Sequence, residues 1–585
     1  MARVKLDEAK TLWERWQSIA DKTPEKEAII HWTAGEEPFR WTFGDLVETA
    51  NKFSLALKKN GIKRGEVCAI ILNHNPMFYP LYMGISGAGA LPAVLAYPNP
   101  RLHPDKFRQG LVGMSQRSGL DRVLTQRDLE GIIRPFIEMK ESTVDELMFP
   151  LEWDLKKIAE ETIKDLKVVR SKVQSTDAML LQHSSGTTGL QKPVVLSHKA
   201  VLDHVAQYGE ALKIDEEDIV VSWLPLYHDM GLVGAFQIPL ASGVKSIQID
   251  TFEWILSPVL MFEATHKEKA TMCWLPNFAY NLCADKVPED EMEGFDLSSL
   301  RLIINASEPI RSESHKRFLD KFVPYKLNPL ALSTLYGMAE VTLAFSQNPP
   351  GQKVNEITVD RQKLAQGIVK LADEATEVKR VCVSSGVLLP DTEMKIVRED
   401  KSEVGEFEVG EIVVKSICLF EGYRNYPEKT AECMDDEGWY YSGDYGFVYN
   451  NELYVIGRKK DIIIVAGKNI YPEDVEVVLN GIEQIIPGRV IAFGEDDELL
   501  GTEQISIVAE TKFTEYEDLR KLRLDIMRAG MTIDVNIGRV YLVPPRWLIK
   551  SSSGKPSRKA NKERIITGTD EAIWSEEKHR QSSAG

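Results

Sequence analysis

The stretch from Ser184 to Lys192, Ser-Ser-Gly-Thr-Thr-Gly-Leu-Gln-Lys, gathers the residue types that hold phosphate. Gly186 and Gly189 let the backbone approach a ligand and turn its amides toward it. Ser184, Ser185, Thr187 and Thr188 offer hydroxyl donors to anionic oxygens, and Lys192 adds a point charge. Strand-like apolar runs flank the loop, Ala178–Gln182 before it and Val194–Leu196 after it. The spacing departs from the G-x-x-x-x-G-K-[ST] pattern of P-loops. Taken alone, the same residues would also suit a polar hairpin loop.

More apolar runs end in polar or glycine-bearing turns further along the chain. Val220–Leu224 leads to Tyr227-His228-Asp229-Met230-Gly231, and Leu302–Ile304 leads to Ser307-Glu308-Pro309. Leu335 opens Tyr336-Gly337-Met338-Ala339-Glu340. Ligands of open α/β sheets bind at the carboxyl ends of strands, so these turns are expected to share one crevice rather than to be scattered connections. Lys555 follows Ser551-Ser552-Ser553-Gly554, a flexible sequence that suits a mobile charge, although most lysines are simply solvated. His228 beside Asp229 suits either a site residue or an ordinary satisfied histidine.

These turns need rigid elements to hold them. At 585 residues and 66.0 kDa the chain exceeds what one core can serve, so two or more domains are expected. Strands such as Val67–Leu72 and Ala90–Val94 alternate with helical stretches, which predicts parallel α/β layers. Residues 8–60 read as helices around one strand, Ala28–Trp32. After Val404 the texture turns to short strands, a small β-rich subdomain. The cluster Gly457-Arg458-Lys459-Lys460-Asp461 suits a domain boundary, with a smaller α+β unit beyond it. The fold class is therefore α/β: a large N-terminal domain of layered α/β subdomains over 1–459, then a small mobile α+β domain over 460–585 whose tail from 567 is expected to be mobile.

A net charge of −17 argues against nucleic acid as the main partner. The 6 cysteines form no C-x-x-C pair, which fits a reducing, cytoplasmic compartment. No signal peptide is expected at the start, and no run reaches the length of a membrane span.

Taken in order, SSGTTGLQK, YHDMG, ASEPI, YGMAE, YSGDYG, GRKKD and SSSGK resemble the core motifs of the adenylate-forming superfamily, which includes acyl-CoA synthetases, luciferases and adenylation domains. The resemblance runs from about residue 10 to 565. SWLPLYHDMGLVG, LPNFAYNLC, NASEPIR, YGMAEVTL and VDRQKLAQG look like the fatty acyl-AMP ligase branch, whose insertion would lie at about 352–379. The resemblance implies ATP and Mg²⁺, with a carboxylate attacking the α-phosphate to give acyl-adenylate and pyrophosphate. It implies that the 184–192 loop holds the β- and γ-phosphates, and that Tyr336 stacks on adenine with Ser307-Glu308-Pro309 along the other face. Glu340 would ligate Mg²⁺, Asp444 would accept from the ribose hydroxyls, and Arg458 would reach ribose or phosphates. Lys555 would enter from the small domain to neutralise the reacting phosphate and carboxylate. His228 would stand at the mouth of the acyl tunnel, and Lys460 would be the hinge.

Three residues depart from the family pattern. Pro193 follows Lys192 and removes an amide donor, Ala339 stands where a threonine is common with Thr342 nearby, and Pro556 follows Lys555. The expected activity is activation of a fatty acid and transfer to the phosphopantetheine thiol of an acyl carrier protein. The alternatives are an acyl-CoA synthetase using free coenzyme A, and a non-catalytic nucleotide-binding homologue. Carrier docking would need a basic patch, for which Lys550, Arg558, Lys559, Lys562 and Arg564 are candidates. Leu364 and Ile368, spaced i, i+4, are expected to anchor the insertion through a helix face.

Overall fold

The computed structural model of the chain describes residues 8–98, 104–158, 163–184, 192–465, 468–497, 502–550, 555–568 and 572–575. Two sheets, of nine and seven strands, form the large N-terminal part. Val67–Ile71 sits centrally in the seven-stranded sheet, between Leu91–Val94 and Arg122–Thr125, all parallel. All five of its residues are buried, which is why it reads as an unbroken apolar run rather than an alternating one. In the nine-stranded sheet, Leu332–Tyr336, Leu302–Ala306, Met272–Pro276, Ile219–Ser222, Lys245–Ile249 and Glu27–Trp32 lie side by side in parallel. Their carboxyl ends therefore face one way.

Helices cover these sheets, each started by local chemistry. Thr11 caps Leu12–Lys22 with a full capping box to Glu14, and Trp16 of that helix is wholly buried. Ser197 caps His198–Leu212, the helix that follows the loop's exit strand. Within 8–60 the structure adds a second strand, Phe39–Thr42, antiparallel to Glu27–Trp32. Its four residues are too short to show a period in the sequence.

A four-stranded antiparallel sheet, Thr392–Val397, Gly410–Ser416, Tyr440–Tyr449 and Glu452–Arg458, forms the β-rich part. A hairpin of Glu356–Asp360 and Lys379–Val383 carries the one-turn helix Arg361–Ala365 between its strands. Leu364 is buried there, but the helix ends at Ala365, so Ile368 falls outside it and is 45% exposed. Val369 takes the inward place instead, sharing a core with Val359, Leu364, Cys382, Phe447, Tyr454, Ile456 and Tyr471.

Beyond a single 3₁₀ turn at Lys459–Asp461, the strands Ile485–Asp497, Thr502–Thr511 and Ile537–Val543 with the helices Pro472–Leu479 and Tyr516–Met531 build a separate core. The tail is not free throughout. Trp574 is buried and its carbonyl accepts from Leu542 N–H, so residues 572–575 lie along the last strand. A lone tryptophan in polar sequence gave no sign of this. Among the described residues, no helix is long and apolar enough to cross a membrane.

Candidate active site

Strand ends and one small-domain loop converge on a single ammonium. Lys555 donates to the Ser307 carbonyl, at the carboxyl end of Leu302–Ala306. Ser307 has φ of +68°, a conformation sparsely populated by residues with a Cβ, and it turns that carbonyl toward the lysine. Burial lowers the Lys555 pKa below the ordinary lysine value; Glu308 opposes this, Arg458 adds to it, and Asp229 and Asp444 oppose it. Glu308, Arg458, Asp229 and Asp444 all act on the lysine electrostatically. The lysine thus touches the Ser307 turn and feels charges from three other stretches that the sequence singled out, at Asp229, Asp444 and Arg458.

Asp444 and its neighbours form the next layer. Tyr336 donates its hydroxyl to Asp444, and Arg458 Nε stands 3.6 Å from the same carboxylate, across the pairing of Tyr440–Tyr449 with Glu452–Arg458. Burial raises the Asp444 pKa, against Arg458 and the Tyr336 hydrogen bond. The Tyr336 ring also meets Phe345 edge-on, with centroids 5.0 Å apart. Gly337 is required in this turn, since a Cβ there would lie 1.8 Å from the Leu343 carbonyl oxygen. Met338 packs, partly buried, against the core.

His228 is held by its neighbour. Its Nδ1 lies 2.6 Å from Asp229 Oδ1, which also accepts from the Met230 N–H at 2.8 Å. Burial disfavours the Asp229 carboxylate, yet the His228 contacts hold its pKa below the ordinary value. Met230–Gln237 then runs as a π-helix, an uncommon form that concentrates at functional sites.

The loop residues Ser185, Gly186, Thr187, Thr188 and Gly189 lie outside the described residues, with Leu190 and Gln191. Its two ends are described: Ser184 pairs with Lys192 across an antiparallel ladder. Lys192 Nζ donates to Tyr423 Oη at 3.2 Å, and Tyr423 donates to Glu340 Oε1 at 2.6 Å. Burial, then the Glu340 charge, raises the Tyr423 pKa, which keeps its hydroxyl protonated. Ala339 and Glu340 are buried in a one-turn 3₁₀ helix. Thr342 does not replace the missing threonine hydroxyl: it is buried and donates to the Cys418 carbonyl at 2.8 Å. Pro309 is exposed beside Glu308, whose Oε2 accepts from Phe278 N–H at 2.9 Å.

Among the described residues, no three His, Cys, Asp or Glu side chains gather as a metal cage. Mg²⁺ is ordinarily held through one or two carboxylates plus substrate phosphates rather than in an all-protein cage. Glu340, a buried carboxylate bonded through one oxygen to a neutral phenol, fits such a role.

The expected basic patch is not available as drawn. Arg558 is held by Asp461, Glu473 and Glu476 at 2.8–2.9 Å. Lys562 donates to the Gly494 carbonyl, and Arg564 donates to the Trp547 carbonyl and lies over its ring. The helix Arg558–Thr567 engages Arg558, Lys562 and Arg564 in this way and leaves Lys559 exposed, 3.8 Å from Glu563, and its sequence alone does not show which way it faces.

Sequence reasoning missed Tyr423, which carries no charge and belongs to no loop singled out by spacing. It also missed Asp474. This buried carboxylate of the small unit lies 3.1 Å from Arg380, 3.7 Å from Arg361 and 3.9 Å from Arg311. Arg361 and Arg380 belong to the hairpin, and Arg311 follows the Ser307-Glu308-Pro309 turn.

A family model described as AMP-binding enzyme matches residues 16–424. The chain is 28% identical over 581 residues to the Mycobacterium tuberculosis protein named long-chain-fatty-acid–AMP ligase FadD26, covering 94% of this chain and 96% of that one. It is 29% identical to a Caulobacter vibrioides chain whose name places it among acyl-CoA synthetases, with 87% of each covered. A structure from a study of fatty acyl-adenylate ligases of E. coli and L. pneumophila superposes with a TM-score of 0.87 at 24% identity, covering 97% and 99% of the two chains. The L. pneumophila fatty acyl-adenylate ligase in complex with acyl adenylate and pyrophosphate gives 0.71 at 26% identity, covering 98% and 99%. With a model that spans more than half its length and a fold shared nearly end to end, the chain belongs to the AMP-binding enzyme family.

Proposed function

We propose that this protein activates a fatty acid with ATP as its acyl-adenylate, releases pyrophosphate, and passes the acyl group to the phosphopantetheine thiol of an acyl carrier protein. The observation that carries this is Lys555, brought from the small unit onto the Ser307 carbonyl and acted on electrostatically by Glu308, Asp229, Asp444 and Arg458. A cation at that point meets the charge that develops when a carboxylate oxygen bonds to the α-phosphorus and the bond to the pyrophosphate oxygen breaks. Such reactions need positioning and charge stabilisation more than covalent help from the protein.

The remaining roles follow from placement. Asp444, oriented by Tyr336 and Arg458, is suited to accept from the ribose hydroxyls. Tyr336 presents its ring to adenine while its hydroxyl is anchored. Glu340 and Lys192 hold the phosphate end, where Mg²⁺ would neutralise phosphate charge. His228, fixed by Asp229, lines the entry of the acid. Lys460, in the single turn between the two parts, is the pivot that lets the small unit present different groups to one crevice.

The hairpin supports a carrier protein over free coenzyme A as acceptor. It shares a core with Phe447, Tyr454 and Tyr471 and grips Asp474 through Arg361 and Arg380. Rotation of the small unit must break that grip. A docked carrier offsets the cost by tethering its pantetheine at high effective concentration. The Caulobacter relative's name favours the acyl-CoA synthetase reading instead. Pyrophosphate release across a panel of carboxylic acids, followed by thioester formation with a carrier protein or with coenzyme A, separates the two. Efficient acyl-CoA synthesis by the unmodified chain overturns the carrier assignment, and no pyrophosphate with any fatty acid overturns the activity.

A further inference from the structure

Between the loop lysine and the Glu340 turn lies a side chain that the chemistry above leaves unused. Tyr423 is 4% exposed and sits in a two-residue strand, Gly422–Tyr423. Its hydroxyl accepts from Lys192 at 3.2 Å and donates to Glu340 at 2.6 Å, and the Lys192 ammonium lies 4.6 Å from its ring centroid.

The backbone around it is pinned to both neighbours. Tyr423 stands opposite Val194 and Gly422 opposite Val195, on the exit strand of the phosphate loop. Glu421 N–H donates to the Val195 carbonyl and Arg424 N–H to the Pro193 carbonyl, each at 2.9 Å. Phe420 N–H donates to the Glu340 carbonyl at 2.8 Å. Tyr423 N–H donates to Thr430 Oγ1 at 2.9 Å, beside Gly422 with its φ of +123°. One short segment therefore clamps the loop exit to the Glu340 turn.

We propose that Tyr423 is a positioning residue that holds the Glu340 carboxylate and the Lys192 ammonium at a fixed separation, so that both meet the metal-bridged phosphates together. A phenol can donate to the carboxylate and accept from the ammonium at once. Without that hydroxyl, opposite charges this close pair directly and neutralise each other, leaving less of either for the ligand. Phenylalanine keeps the ring, with its packing against Phe420 at 4.9 Å, and removes the hydroxyl with this relay and its hydrogen bond to Tyr440.

The proposal rests on the adenylate-forming reading, and its test is chosen to separate the two. Full-length protein and Tyr423→Phe are compared by calorimetry of pyrophosphate binding with and without Mg²⁺, and by acyl-AMP formation with Mg²⁺ titrated at saturating ATP. The gain in pyrophosphate affinity from Mg²⁺ is expected to fall roughly tenfold in the variant, the scale of one hydrogen bond to a charged group. The half-saturating Mg²⁺ concentration is expected to rise by a similar factor, with KM for the acid and the melting temperature unchanged. A folded Tyr423→Phe protein with wild-type Mg²⁺ dependence overturns the proposal, and so does absence of Mg²⁺-dependent pyrophosphate binding in the wild type. If the variant does not fold, Lys192→Met, Glu340→Gln and their double are compared in the same calorimetry. Non-additive losses are expected, and additive ones overturn the proposal. Wild-type protein that binds Mg²⁺ and pyrophosphate but makes no acyl-AMP defeats the functional reading instead.

Discussion

At Lys555 two requirements meet. In the role proposed for it the lysine would have to be charged to stabilise the reacting phosphate, yet burial lowers its pKa. Lys555→Ala should slow acyl-AMP formation roughly 10²–10³-fold, the usual cost of one preorganised charge-stabilising donor. ATP binding by calorimetry and the melting temperature should be nearly retained. The sign of the pH effect follows from the direction of the shift. A lowered pKa means the ammonium deprotonates earlier as pH rises, so kcat/KM for the free enzyme should fall on the alkaline side below the ordinary lysine value of about 10.4. Lys555→Arg should move that limb upward, since a guanidinium stays charged. An unchanged alkaline limb in the arginine variant would assign it to another group. Lys555, Glu308, Asp444 and Arg458 were legible in the sequence because each sits in a short motif whose order along the chain is distinctive. Tyr423 and Asp474 were not, because their importance lies in partners 231 and 83 residues away on the one hand and in three scattered arginines on the other.

Among the elements, the hairpin at 356–383 ties the two parts of the chain together. Deleting it would strip Val359, Leu364, Val369 and Cys382 from a core that also holds Phe447 and Tyr454, so a point substitution is the cleaner probe. Asp474→Asn keeps the shape and removes the charge that Arg311, Arg361 and Arg380 share. It should raise acyl-CoA formation relative to acyl-AMP formation by several-fold, because the small unit loses its counter-charge in the seated orientation. Leaving partly buried guanidiniums without that partner destabilises the seated form by less than the roughly 3–5 kcal/mol of a fully buried pair. An unchanged ratio of the two products would deny the hairpin any electrostatic hold. At the other connection, Lys460→Pro restricts φ in the turn Lys459–Asp461. It should impair thioester formation more than adenylation, measured as separate half-reactions; equal losses would move the pivot elsewhere. The charged cluster falls on the turn Lys459–Asp461, and the stretch 352–379 falls mostly on the hairpin. Of the expected anchor pair Leu364 is buried, but Ile368 is not, since the one-turn helix ends before it.

At the scale of the whole molecule, the parallel layers and the β-rich part were legible because their strands are buried runs broken by turn residues. The direction in which a charged helix faces was not, as Arg558, Lys562 and Arg564 show. Trp574 marks the same limit. It joins the small unit's core with Ile507 and Leu542, and Arg523 lies over its ring at 5.3 Å. Trp574→Ala should cost about 3–5 kcal/mol, the range for a buried aromatic. The loss should fall on the small unit alone, read as an earlier first step in a two-step melt. A single unshifted transition would mean the tail contributes nothing.

The Lys555 contact with Ser307 also bears on how the molecule fills. The lysine reaches from the small unit to a strand end of the large one. If the proposed substrates bind beneath that contact, they would enter in conformations where it is open. Apparent substrate affinity is then the intrinsic affinity scaled by the fraction of molecules open at any moment. Binding would follow a slow, ligand-independent step, visible as an association rate that levels off as ATP concentration rises. The residue proposed to accelerate the chemistry would, on this account, also be the latch on the door.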